Sequence, residues 1–524
     1  MAAFALVSMP SGVAAKRIEQ SAFGAYVRGR VADRSYDSTT AIQSYTTALA
    51  LASNDVLVAF RAYRAGVDAG DYALALRAAR TLQQADILPP DARVLLYIGA
   101  VRERDWAAAR VLLDRMAKED GFDFLAPLFD GWLALATGTR ATTDKTRVGA
   151  YTAENAALLT IARGDFVAGA QSVETIIGTD AYRTSTLRLA AAAILNARRQ
   201  NDLALTLLKG DDVAFAAART LITRGKRLSG AVDTPARGAS FVLQRMAIDL
   251  MSDRSSRSAI TLARFATFAD PEGGQARLVA AATLKFAERN AEALRLVDSM
   301  TADPVLGDAA MSTRIDLLEE LGRTDEAYAL ALTRSSRSTN DLTRLGDIEA
   351  RRGNFAEAAG HYRRAMETIG DNRASAQLWL ALGNVLDQGG DWKSARPVLE
   401  RALALSPDDP RLLNQLGFGM ANHDEDLPRA IMLLEKASDA QPENAAITDS
   451  VGWAQFRAGR IETAIETLER ARSLDSTEPE ITEHLGDAYW AAGRRIEARY
   501  AWVAARENAI GPVLGRLNEK LERR

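Results

Sequence analysis

The chain has 524 residues, 48% hydrophobic and 25% charged, and its 36 Gly and 14 Pro exclude a largely disordered polypeptide. Its 65 basic and 68 acidic residues are interspersed and leave a net charge of −3, which offers no electrostatic footprint for nucleic acid or anionic lipid. It contains no Cys, which excludes disulfides, thiolate catalysis and cysteine-ligated zinc.

The first stretch, "MAAFALVSMPSGVAAKRIEQ", has the apolar core and small residues of a secretory signal, with Val13 and Ala15 suited to the −3 and −1 positions of a cleavage site. A basic n-region is missing. Residues 1–15 are therefore read as a signal-peptide remnant, with a frayed apolar segment as the alternative, and 16–35 as a leading segment. No later run reaches the 18 to 20 apolar residues of a membrane span, so no transmembrane helix is expected.

Alanine is conspicuous throughout, as in "AAAIL" and "ALALA", and it is both the best helix former and small enough for close helix packing. An all-α fold follows. "GDYALALRAARTL" and "RDWAAARVLLDRM" hold a 34-residue interval between Asp71 and Asp105, Tyr72 and Trp106, and Ala75 and Ala109. Weaker echoes follow in "RGDFVAGAQSV", "QNDLALTLL", "ERNAEALRLV" and "LGRTDEAYALAL", so residues 36–340 are read as degenerate helical repeats. Asp211 to Gly274 is the least regular part, and "SGAVDTPARGAS" within it reads as a long turn between helices.

The period sharpens towards the C-terminus. Gly346, Gly383, Gly417, Gly452 and Gly486 follow at intervals of 37, 34, 35 and 34 residues. Alanine stands twelve residues after four of them, at Ala358, Ala395, Ala464 and Ala498, and at Ala430 in the third, displaced by one after the longer turn "ANHDEDLP". A mid-helix Gly costs about 1 kcal/mol relative to Ala, so each implies a close approach, read here as Gly opposite Ala across a helical hairpin. A second small residue recurs at Ala365, Ala402, Ala437, Ala471 and Ala505, and Pro407 and Pro442 close repeats.

These residues resemble the tetratricopeptide repeat, most fully in "LWLALGNVLDQGGDWKSARPVLERALALSP", where Trp379, Leu382, Gly383, Ala395, Leu399, Ala402 and Pro407 are in register. The resemblance implies an α-solenoid of antiparallel helix hairpins wound as a right-handed superhelix, with five clear repeats over 341–507. Residues 508–524 read as a capping helix, and about a dozen hairpins in one continuous stack are expected from 36 to 507. It also implies protein or peptide partners, a non-enzymatic role and no cofactor.

Catalytic and metal chemistry find no constellation. The histidines, His361, His423 and His484, stand far apart and in no ligand spacing. "TRGKRLSG" has Thr220 where a phosphate loop needs its first Gly and no Ser or Thr after Lys226. The serine pairs near Ser255 and Ser335 have no associated histidine and read as loops or helix starts.

With the repeat Gly as position 8, the resemblance places positions 5, 9 and 12 on the inner face. They fall at Arg344, Asp347 and Ala350; Leu380, Asn384 and Asp387; Asn414, Phe418 and Ala421; Asp449, Trp453 and Phe456; and Glu483, Asp487 and Trp490. This departs from the basic carboxylate clamp of some tetratricopeptide proteins. It predicts instead an aromatic strip of Phe418, Trp453, Phe456 and Trp490, rimmed by Asn414, Asp449, Glu483 and Asp487, for an extended segment with apolar and basic side chains. Core packing between helices is the competing role for these rings.

The block from Leu412 to Ala471 also resembles a subset of bacterial envelope tetratricopeptide proteins, in "NQLGF", the acidic loop "HDED" and "DSVGW", followed by "HLGDAYW". Some of those are lipoprotein adaptors for a carboxyl-terminal processing protease. The chain lacks a lipobox cysteine, so a periplasmic form without a lipid anchor is expected, with a cytoplasmic scaffold as the alternative.

Overall fold

The computed structural model describes residues 21–35, 37–118, 121–140, 149–176, 181–252, 256–334 and 338–522. The signal-like residues 1–15, including Val13 and Ala15, lie outside them, as do Ser255 and Ser335. Every regular element among the described residues is a helix, and the chain forms two compact units, 1–322 and 323–524.

In the first unit, the 34-residue echo corresponds to two hairpins, Val56–Ala69 with Tyr72–Gln84 and Pro90–Glu103 with Trp106–Met116. The recurring aspartates are caps. Asp71 accepts from the backbone N–H of Leu74 at 2.9 Å and Asp105 from that of Ala108 at 3.0 Å, satisfying donors that a helix start leaves unpaired. Ala75 and Ala109 are fully buried, and a Cβ on Gly66 would stand 2.8 Å from the backbone nitrogen of Ala75.

Neighbour-only packing, expected of a continuous stack, does not describe this unit. Helices Pro235–Ser252 and Ser256–Ala269 return to Val56–Ala69, Pro90–Glu103 and Ala126–Thr137, and one core draws on both 25–133 and 239–280. Arg102 donates to the carbonyl of Phe268 at 2.8 Å, Arg264 to that of Asp68 at 3.3 Å, and Arg289 to the Asp68 carboxylate at 2.6 Å. "SGAVDTPARGAS" is irregular only in its first half. Pro235 opens an 18-residue helix, because its missing N–H and fixed φ suit a first helical position.

The second unit starts with helix Thr324–Leu332 and continues as five pairs: Thr339–Arg351 with Phe355–Ile369, Ala376–Gln388 with Trp392–Leu405, Pro410–Asn422 with Leu427–Ala440, Ala445–Arg457 with Ile461–Leu474, and Pro479–Ala491 with Arg495–Asn508. Each helix packs on its neighbours in sequence, as in an α-solenoid. Turns between paired helices use a left-handed residue, Gly459 at φ +76° in the fourth pair and Asp424 at +53° in the longer third turn. A last helix, Gly511–Glu522, lies on both helices of the fifth pair and buries Leu517 completely.

Candidate partner-binding face

The repeat glycines do admit a close approach, but what they admit is a large side chain and not the alanine expected opposite them. A Cβ on Gly452 would stand 2.6 Å from Cγ of Leu468, and one on Gly383 2.4 Å from Cδ2 of Leu399. Gly417 faces Leu434, Gly346 the ring of Tyr362, and Gly486 the ring of Trp502 at 2.4 Å. These partners lie one helical turn beyond Ala358, Ala395, Ala430, Ala464 and Ala498, all fully buried. The alanines let the second helix settle close, and the glycines receive the next side chain along it. In the third pair the alanine also contributes directly, its carbonyl lying 3.0 Å from the position of a Gly417 Cβ.

Several of the residues assigned to the inner face stand at the seam between successive first helices, while Asp347 accepts from Tyr362 of its own hairpin at 2.6 Å. Asp387 pairs with His423 at 3.1 Å, the Trp453 indole N–H donates to Asn422 at 2.7 Å, and the Asp449 carboxylate holds Nδ1 of His484 at 2.9 Å. Glu483, though buried, meets Arg516 at 2.8 Å and Lys520 at 2.5 Å, and Asp487 meets Lys520 at 2.7 Å. The last helix thus takes the seam position that a sixth first helix would occupy. The expected acidic rim is therefore corrected. Asp449, Glu483 and Asp487 serve the neighbouring helix, because a carboxylate in a tight seam needs a partner to offset its desolvation.

The titration directions agree. Burial pushes the Glu483 carboxyl up, yet the hydrogen bonds from Arg516 and Lys520 outweigh it and hold the group below the usual carboxylate range. Burial pushes the His484 imidazole down, but the Asp449 carboxylate, with Asp487 and Glu483 nearby, raises it above the usual histidine value.

The aromatic strip is also only partly formed. Trp453 stacks between Phe456, with ring centroids 5.1 Å apart, and His484, at 4.2 Å. Trp490 turns instead to Trp502 at 5.2 Å, with the Arg495 guanidinium 3.7 Å above it. Phe418 is half-buried against the core, and among the described residues it stacks on no other ring. What the seam leaves unpaired lies earlier. The amide oxygens of Asn384 and Asn414, on consecutive first helices, and the indole nitrogen of Trp379 are buried with no hydrogen-bond partner among the described residues.

Sequence reasoning missed Asn422, Arg516 and Lys520, and gave His423 and His484 no role beyond excluding them as metal ligands. The signal was present as an acid followed about one repeat later by a base: Asp387 and His423, Asp449 and His484, Asp487 and Lys520. It missed Trp392 too. That ring stacks on His423 at 4.8 Å and donates to Glu425 at 3.0 Å, while Arg457 meets Asp424, so the acidic loop is tied down by the chain itself. Among the described residues no cluster of three or more acidic or histidine ligands could hold a metal, and no helix is long and apolar enough to cross a membrane.

Stacked hairpins with a polar and aromatic seam along one series of helices define a helical-repeat interaction protein. The repeat itself is the tetratricopeptide repeat: models of that family match residues 338–408, 424–479 and 450–512, so these stretches of the second unit are tetratricopeptide repeats. A relative described as TPR repeat-containing protein PA4667, from Pseudomonas aeruginosa, is 26% identical over 179 residues, which make up 34% of this chain and 30% of the relative's own length. Among solved structures, the Cut9 and Hcn1 hetero-tetramer of the APC/C matches 97% of this chain and 98% of its own, at 16% identity and a TM-score of 0.39. The pilF protein of Pseudomonas aeruginosa matches 35% of this chain and 84% of its own, at 21% identity and a TM-score of 0.29.

Proposed function

We propose that the protein is a non-enzymatic scaffold whose C-terminal repeats hold an extended segment of a partner protein along their first helices. The observation that carries this reading is the pair of amide oxygens with no partner among the described residues, Asn384 and Asn414, on consecutive first helices of the series that also presents Phe418 and Trp453. Buried polar atoms without partners are costly, so these amides gain by turning outwards to a docked segment, whose backbone N–H groups are the donors that satisfy acceptors spaced along a groove. With the carboxylates of the rim consumed internally, the preferred segment is apolar and read through its backbone, not the basic one expected from sequence.

The finer reading is an adaptor in a bacterial envelope that brings substrates to a carboxyl-terminal processing protease or to envelope assembly. It is supported by the motifs between Leu412 and Trp490 and by the signal-like N-terminus. A cytoplasmic scaffold with the same binding face is the rival. The test is to isolate the protein from its native cell, as wild type and as the Phe418→Ala, Trp453→Ala double variant, and identify bound proteins and the mature N-terminus by mass spectrometry. A protease or envelope partner lost from the still-folded variant, with a processed N-terminus, supports the adaptor. Retention of every partner by the variant overturns the binding face, and an unprocessed N-terminus favours the cytoplasmic scaffold.

A further inference from the structure

The first unit contains a pocket remote in sequence from the tetratricopeptide repeats. It lies among helices Ala181–Ala197, Pro235–Ser252 and Gly274–Phe286 and the segments around 228–232 and 305–306, and its space, mouth included, is about 820 Å3. About 80 Å3 of it is open to the centre of a water-sized sphere, several times what one water needs. Its walls are largely apolar, with Leu189, Phe241, Ile248 and Val279 among them.

The polar groups in the wall are few, and their pairing defines what fits. Arg245 already meets the buried carboxylate of Glu154 at 3.1 Å, and Arg237 lies 3.0 Å from Asp233 and 3.8 Å from Asp270. Each charge on the wall faces an opposite one, so an ionic ligand gains no unmatched partner for the water it loses. Gln244 is different. It is only 8% exposed, and its amide N–H donates to Oγ of Ser240 at 3.0 Å. That hydroxyl spends its own proton on the carbonyl of Ala266 at 2.9 Å, so it must accept from Gln244, which fixes the orientation of the amide. The Gln244 oxygen then stands as an acceptor on the pocket wall, with no hydrogen-bond partner among the described residues.

We propose that this pocket binds a neutral, largely apolar small molecule carrying one N–H or O–H donor, received by Gln244. All the residues that line it belong to the first unit.

N-phenyl-1-naphthylamine, an uncharged aromatic probe with a single N–H, tests this by fluorescence titration of the full chain, beside its N-methyl derivative, which lacks the donor. The expected result is saturable binding of one probe per chain, with the parent compound about fivefold tighter than the N-methyl form, as one buried hydrogen bond gives. Thr186→Trp and Ile248→Trp, at half-buried positions of the wall, fill the space and weaken both probes at least about tenfold. Gln244→Leu removes the difference between the probes. Absence of saturable binding, or unchanged binding to both Trp variants with circular dichroism matching the wild type, overturns the site. Equal affinity for the two probes in the wild type overturns the role of Gln244.

Discussion

At the residue scale, the repeat glycines act by exclusion: each leaves room for one large side chain from the paired helix. Gly452→Ala places a methyl group 2.6 Å from Leu468, in a core with no slack, and is expected to destabilise by roughly 1 to 3 kcal/mol despite the better helix propensity of Ala. In a Leu468→Ala background the two side-chain clashes are gone and the backbone nitrogen at 3.3 Å is the close neighbour left, so most of the penalty should vanish and part of the propensity gain of about 1 kcal/mol should emerge. Denaturant unfolding of the four proteins measures this coupling. Equal effects of Gly452→Ala in both backgrounds would refute the packing argument.

A second residue-scale prediction concerns His484. Its raised folded pKa means that its pairing with Asp449 stabilises fully below the unfolded histidine value of about 6.5, and that this stabilisation is lost as the pH rises through the folded value. Asp449→Asn, which keeps the shape, should therefore cost about 2 kcal/mol at pH 5.5 and less than about 1 kcal/mol at pH 9, read from melting curves at the two pH values. NMR titration of the His484 ring should show its pKa falling in the variant.

At the scale of elements, the helix Gly511–Glu522 completes the last seam. Lys520 and Arg516 both hold the buried Glu483 carboxylate, but Lys520 is 14% exposed, whereas Arg516, although it donates twice, is 46% exposed and its pair is the more screened. Lys520→Met should accordingly destabilise by about 3 kcal/mol and Arg516→Met by under about 1 kcal/mol, with Glu483→Gln restoring part of the loss in the Lys520→Met protein. The depressed Glu483 pKa contributes stability above the unfolded carboxyl value of about 4.3, and that contribution is lost as the pH falls through the folded value. Acid unfolding should therefore begin at higher pH in Lys520→Met, which far-UV circular dichroism against pH would show.

The helix pairs themselves were legible because the contacts that set them close within one repeat. Gly452, Ala464 and Leu468 lie within a single hairpin, so their spacing is written in the sequence. The partner of each glycine was misread because a period marks small residues and is silent about which large one fills the gap. The seam residues were placed correctly on first helices, but Asp449, Glu483 and Asp487 were taken as free because their partners lie on the next repeat, where pairing depends on helix rotation.

At the scale of the whole molecule, the two units hold together by different means. The second is a chain of neighbour contacts, so its stability is a sum along the stack and its opening is graded from the ends. The first is closed by contacts between residues about two hundred positions apart, Asp68 with Arg264 and Arg289, and such ties leave no periodic trace to read. Burial pushes the Arg264 guanidinium down to about 10, although Glu292 and Asp68 favour its charged form. Arg264→Met should cost about 2 to 3 kcal/mol and lower hydrogen-exchange protection together in Val56–Ala69, Ser256–Ala269 and Asn290–Asp298, while leaving the second unit's profile unchanged. Loss confined to the mutated helix would show that these ties do not close the unit.

The central claim is that partners lie along the first helices of the second unit. A photo-reactive benzoylphenylalanine placed at Phe418, on that face, and in a second protein at Tyr500, 74% exposed on the last second helix, tests it in the native cell. The account predicts a discrete covalent adduct with another protein from position 418 and none from position 500, with the first lost when Asn384→Leu and Asn414→Leu are added to a folded protein. Adducts from position 500 alone, or a position 418 adduct indifferent to both asparagines, would contradict it.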